Sequence, residues 1–144
     1  MNKVMSILKI KGSDVLRIPQ EATVLEALKQ MAESRTGSVI VMDGERIAGI
    51  FTERDFAWNV GVRDIPPSAI KVKEVMTRSL VTVNPDDSVN QCMELITNHR
   101  IRHLPVMEGD ELVGIVSIGD VVKDMIEELQ FVVAQLENYI TNFR

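Results

Sequence analysis

A chain of 144 residues, 45% hydrophobic and 26% charged, has the balance of one ordinary globular domain, or of two very small ones sharing a core, and excludes a disordered or low-complexity protein. Its 21 acidic residues against 16 basic ones give a net charge of −5, which excludes a general binder of nucleic acid and leaves any bound anion to a local cationic cluster. The single cysteine, Cys92, forbids an internal disulfide and suits a reducing cytoplasm; the apolar runs are too short for a membrane span, and Met1-Asn2-Lys3-Val4-Met5-Ser6 lacks the apolar stretch of a signal peptide.

In chain order, Val15-Leu16-Arg17-Ile18 reads as a short strand rich in branched residues. Thr23-Val24-Leu25-Glu26 is a capping box, a hydroxyl with Glu three residues on, and Val24, Leu28 and Met31 then recur at helical spacing. A strand from Ser38 to Met42, a turn at Asp43-Gly44-Glu45 and a strand from Ile47 to Phe51 follow, running into a helix that starts near Thr52. Residues 60–70, with Pro66-Pro67, are predicted as a linker, because proline cannot feed a helix interior or a central ladder.

The series then repeats at a constant offset of 65 residues, which pairs Gly49 with Gly114, Gly44 with Gly109, Val41 with Val106 and Arg35 with Arg100. The second copy has a strand at Leu80-Val81-Thr82-Val83, a capping box at Ser88-Val89-Asn90-Gln91 and helical spacing at Val89, Met93 and Ile96. Strands from Leu104 to Met107 and Leu112 to Val116 flank the turn Glu108-Gly109-Asp110, and a helix begins near Ser117. Each half is thus β-α-β-β-α and marginal alone, so an α+β fold of two repeats about a pseudo-two-fold axis is predicted. The expected division is 1–63, carrying the N-terminal segment, and 64–144.

Each copy carries one chemical phrase, Gly49-Ile50-Phe51-Thr52-Glu53-Arg54-Asp55 and Gly114-Ile115-Val116-Ser117-Ile118-Gly119-Asp120. Together with Val72-Lys73-Glu74-Val75-Met76-Thr77 and His99-Arg100-Ile101-Arg102-His103-Leu104-Pro105-Val106, the duplicated phrase resembles a pair of cystathionine β-synthase (CBS) domains, a Bateman module. The resemblance covers nearly the whole chain. It implies a non-catalytic regulatory module that binds an adenosine-containing ligand in clefts between the repeats. It puts Thr52 or Ser117 at a phosphate and Asp55 or Asp120 on the ribose, with Val75, Val106 and Ile115 available to sandwich adenine. AMP is the first ligand implied, with NADH, ADP and ATP as alternatives.

The chemistry is sound on its own footing. A helix N-terminus offers unpaired N–H groups, a hydroxyl adds a donor, and a carboxylate one turn on presents two acceptors to a 2′,3′-diol. The same pattern is also a capping box, so cap and ligand group compete as roles for Asp55 and Asp120. Thr23 and Ser88, with no glycine-led strand before them, are read as caps only.

His99, Arg100, Arg102 and His103 form the densest cationic run, whereas the first copy has Ser34, Arg35, Gly37 and Ser38 there and carries Arg54 where the second has Gly119. Arg54, Arg102 and His103 are expected toward phosphate, Arg suiting this through its planar fork. Arg100 is read as a charge complementing a helix C-terminus. Lys73, Val75, Pro105, Val106 and Gly119, all within the matching phrases, complete the expected ligand-binding set. Cys92 matches Ala27 and reads as a core residue, and no catalytic or metal constellation is present in the sequence.

From Asp120 to Phe143 the chain reads as one helix, with Val122, Ile126, Leu129, Val133, Leu136, Ile140 and Phe143 spaced as a heptad stripe. The expectation is a homodimer with this helix in the interface, self-packing being the alternative. The function expected is a nucleotide sensor; the alternative is a ligand-independent dimeric regulatory subunit or scaffold for a separate enzyme.

Overall fold

The computed structural model describes residues 2–143. The chain runs α1 (Val4–Lys11), β1 (Arg17–Pro19), α2 (Val24–Ser34), β2 (Ser38–Asp43), β3 (Arg46–Thr52), α3 (Glu53–Asn59), two 3₁₀ turns (Pro67–Ala69 and Val72–Glu74), α4 (Val89–His99), β4 (His103–Glu108), β5 (Glu111–Ser117) and α5 (Ile118–Asn142). These make two compact units: one holds residues 14–80, the other the residues before 14 and those from 81 onward.

In the first unit β1 pairs in parallel with β2, and β2 antiparallel with β3. Ile18, Val24, Met31, Val39, Val41 and Phe51 from these elements close one core. The expected linker is part of this unit. Val60 and Ile70 are buried in its core. The backbone sews the following segment down: the Val24 N–H donates to Ile70 O, the Val72 N–H to Ala22 O, and Ile50 and Thr77 exchange both of their bonds. The chain therefore stays with the first repeat to residue 80, beyond the prolines at which a break was expected.

The second unit repeats the plan with β4 antiparallel to β5. The correspondence reaches the irregularities: the ladder slips between Val41 and Met42 and again between Val106 and Met107, and α2 and α4 both end on a left-handed arginine, Arg35 and Arg100. One element differs. The expected strand Leu80–Val83 is a single parallel bridge between Val83 and Val106. In the first repeat the Ile40 N–H donates to Leu16 O; its counterpart is Pro105, which has no N–H to give Val81, and the ladder stops after one residue.

The N-terminal segment, expected with the first repeat, belongs to the second. Helix α1 buries Val4 and Ile7 among Val83, Val89, Cys92 and Val116. Its backbone joins there too, through Val4 N–H to Asp87 O, Met5 N–H to Pro85 O and Val89 N–H to Asn2 O. The Asn2 side-chain amide also donates to both oxygens of Asp124 at 3.2 Å.

Helix α5 spans 25 residues, about 37 Å at 1.5 Å per residue. Only its beginning is held: Val121 and Asp124 are buried and Met125 packs on the core. Every residue from 129 to 143 is exposed, so the outer half of the helix does not wrap the body of its own unit.

The two motif glycines have steric reasons. A Cβ on Gly49 would lie 2.5 Å from the carbonyl oxygen of Thr77, and one on Gly114 2.7 Å from a methyl of Leu8. The first obstacle is backbone held in a bridge, the second the tip of a flexible side chain. Gly49→Ala is expected to destabilise by about 1–3 kcal/mol and Gly114→Ala by distinctly less; urea denaturation of both variants checks the order.

Candidate functional site

At two corners, one in each unit, a β-strand hands over to a helix. The backbone of each corner is fixed by the same bonds. The first helical amide, Glu53 or Ile118, donates to Gly37 O or Arg102 O at 3.0 and 2.9 Å. The cap amide, Thr52 or Ser117, donates to the carboxylate of Asp55 or Asp120 at 3.0 and 2.9 Å. The amide of that aspartate returns to the cap hydroxyl at 3.3 and 3.2 Å. Both corners are complete capping boxes, as are those at Thr23 and Ser88. Among the described residues, the second helical amide, of Arg54 or Gly119, is the one left without a protein acceptor in each first turn.

The two corners differ in what else reaches the acid. Asp55 is buried, and both of its oxygens are taken: Oδ2 accepts from the Thr52 amide and hydroxyl, and Oδ1 accepts from the Thr77 hydroxyl at 2.9 Å. Asp120 has about a quarter of its side chain exposed. Its Oδ2 accepts from the Ser117 amide and from the Lys11 ammonium, 2.5 Å away, while Oδ1 accepts nothing among the described residues. Burial pushes the Asp120 carboxyl upward, but Lys11 and Ser117 outweigh it and hold it below the ordinary 3.8.

The remaining expected residues are placed as follows. Arg54 lies half-buried with its guanidinium over the Trp58 ring, 5.2 Å from the centroid. Arg102 is exposed, directly before β4, and gives its carbonyl to α5. His103 is half-buried and stands opposite Ser117 in the ladder, which brings it to the second corner. Gly119 is exposed, and a Cβ there would meet nothing closer than the Ser117 hydroxyl at 3.6 Å.

Val75, Val106 and Pro105 serve the fold instead of presenting a surface. Val75 and Val106 lie inside the two cores, at 4% and 0% exposure, so neither offers a face to an adenine in this structure. Ile115 remains half-exposed on β5. Pro105 is buried, its carbonyl accepting from Val83. Lys73 is ion-paired, together with Lys71, to Glu21 at 2.7 Å, and these two ammonium groups hold the Glu21 carboxyl at about 2.

Lys11 and Thr77 reach the two acids without having been expected there. Thr77 stood in the Val72–Thr77 phrase, but nothing in that phrase shows its hydroxyl turning to Asp55. Lys11 lies more than a hundred residues from Asp120 in a segment outside the repeat, and no sequence signal connects them. Cys92 is fully buried, and burial raises its thiol to about 11, so it is a neutral core group at physiological pH. No group of acids, histidines or cysteines placed to hold a metal occurs among the described residues, and no helix among them is long and apolar enough to cross a membrane.

The Lys11 ion pair carries a pH signature. A carboxyl held below its unfolded value stabilises the fold above that value and loses the contribution as pH falls through the folded one. Lys11→Met is therefore expected to cost about 0.5–1 kcal/mol at pH 7, with the gap to the parent chain closing as pH drops below 3.8. Urea denaturation at pH 7 and pH 3 measures it; a gap unchanged at pH 3 would mean that Lys11 acts through packing.

Comparison with known proteins agrees with this architecture. The CBS domain model matches residues 8–60 and 72–127. The mitochondrial CBS domain-containing protein CBSX3 of Arabidopsis thaliana is 36% identical over 146 residues, covering 95% of this chain and 71% of its own. The crystallised CBS domain protein NE2398 superposes with a TM-score of 0.84 at 40% identity, covering 88% of this chain and 99% of its own. The CBS domain pair of MJ0100, solved with 5′-methylthioadenosine and S-adenosyl-L-methionine, shares the fold at 21% identity, with a TM-score of 0.77 and coverage of 89% and 98%. With both repeats matched and the strand-to-helix corner present in each, the chain belongs to the CBS domain family as a tandem pair, a module that is typically regulatory and not catalytic.

Proposed function

We propose that the protein is a non-catalytic sensor of an adenine nucleotide, AMP foremost, with NADH, ADP and ATP as the competing forms, and that the second-repeat corner carries the binding. The observation behind this reading is the state of Asp120. One of its oxygens is uncommitted and part of its side chain is open to solvent, beside the Ser117 hydroxyl and the unpaired Gly119 amide. A 2′,3′-diol on the acid and a phosphate on the hydroxyl and amide would use all three. The ammonium of Lys11 and the exposed Arg102 add positive charge to the corner, which favours a phosphate-bearing ligand over a neutral or cationic one. The solved relative with methylthioadenosine and S-adenosylmethionine supports the adenosine class without supplying the phosphate.

The first-repeat corner is a poorer host. Occupying Asp55 requires displacing Thr52 and Thr77 from a buried carboxylate. That closed arrangement favours the second reading, a ligand-independent dimeric regulatory subunit or scaffold for a separate enzyme. In either reading the lone buried thiol fits a reducing compartment such as the cytoplasm.

A thermal-denaturation panel with AMP, ADP, ATP, NADH and S-adenosylmethionine separates the two. A ligand at 100 times its Kd stabilises by about 2.7 kcal/mol, and AMP is expected to give the largest shift; no shift with any member supports the scaffold. Asp120→Ala should cost about 1 kcal/mol as a lost cap and abolish the AMP shift. Ser88→Ala should cost a similar amount and keep the shift. Loss of the AMP shift in Ser88→Ala as well would reduce Asp120 to a cap.

A further inference from the structure

We infer that α5 is a self-association surface and that two copies of this chain pair along it in antiparallel register. The outer half of the helix is exposed on all sides, yet Ile126, Leu129, Val133, Leu136 and Ile140 form one stripe, with exposures from 49% to 62%. An apolar stripe of this length facing water marks an association surface, and its heptad spacing fits another helix.

The charges identify which helix. Lys123 is the one cation within α5, and Glu137 is the one charged residue between Leu129 and Phe143. Both are exposed, and neither forms an intrachain ion pair among the described residues. A partner steered by charge would find almost nothing to read on the outer helix, whereas a second copy is complementary in one arrangement. With Leu129 set against the partner's Val133, antiparallel packing places Ile126 against the partner's Leu136 and Val122 against the partner's Ile140.

The same register puts Lys123 beside the partner's Glu137 on one flank. On the other it pairs Met125 with the partner's Tyr139 and Val132 with the partner's Val132. Each contact occurs twice, save the self-pair of Val132, about a two-fold axis passing between Leu129 and Val133, so the assembly closes at two chains. A parallel pair would instead put Lys123 beside the partner's Ile118 and Glu137 beside the partner's Val132, leaving both charges without an opposite.

Sedimentation of the full chain without nucleotide tests this, and its result does not depend on whether the Asp120 corner binds a ligand. The expected result is a dimer at micromolar concentration that Leu129→Asp converts to monomer with the circular dichroism spectrum unchanged. Lys123→Glu or Glu137→Lys alone should raise the dimer Kd about tenfold, since each turns two attractive pairs into repulsive ones. The double variant should return to within about threefold of the parent. A monomeric parent chain, or a dimer indifferent to Leu129→Asp, overturns the surface. A double variant as weak as the singles overturns the antiparallel register.

Discussion

The first turn of a helix leaves amides that must find acceptors, and in α2, α3, α4 and α5 the first of them reaches a backbone carbonyl of another segment while the third takes the cap hydroxyl close by. This requirement organises the protein. Thr23, Thr52, Ser88 and Ser117 meet it in the same way, each with its own hydroxyl and with the carboxylate or amide three residues on. What separates a plain cap from a site is therefore the surroundings of the acid. Glu26 stands in solvent and does nothing further. Asp55 is buried beneath two threonine hydroxyls, and Asp120 shares its charge with a lysine while keeping one oxygen open.

Most of the fold was legible because duplication supplies an internal control. Positions 65 apart agree in element, cap, bulge and left-handed residue, so two weak local signals became one strong one. Reading failed where the repeats part company. Pro105 replaces an amide donor and cuts a strand to a bridge. Helix α1 holds the place that the segment 70–77 holds in the first unit, with Val89 N–H on Asn2 O answering Val24 N–H on Ile70 O, but one is α-helical and the other a 3₁₀ turn, and Val4 and Ile7 are too few to declare which core they fill. The corners themselves were placed by Thr52, Asp55, Ser117 and Asp120, but their inequality was not. It depends on Thr77 and Lys11, whose side chains arrive from distant sequence. Val75 and Val106 lie in the cores, and the phrases that hold them do not show it, because apolar residues in such a phrase look alike whether they face a cleft or a core.

The ion pair between Lys11 and Asp120 ties the corner to a helix otherwise held by packing and by backbone bonds at its first turn. The ammonium holds Oδ2 and leaves Oδ1 open, so the two oxygens of one acid face α1 and the corner at the same time. A ligand on the open oxygen would be linked in free energy to the docking of α1 through their common carboxylate, and the linkage would act equally in both directions.

The placement of α1 also dictates an order of assembly. The unit made of residues 14–80 is continuous and has all its parts once that stretch has left the ribosome. The other is split, and its leading piece, an eight-residue helix, is far too short to persist in water by itself. During synthesis α1 must remain uncoiled with Val4 and Ile7 uncovered until α4 and β5 have been made. Helix α1, made before the rest of its unit, is thus among the last of that unit's parts to reach its final place.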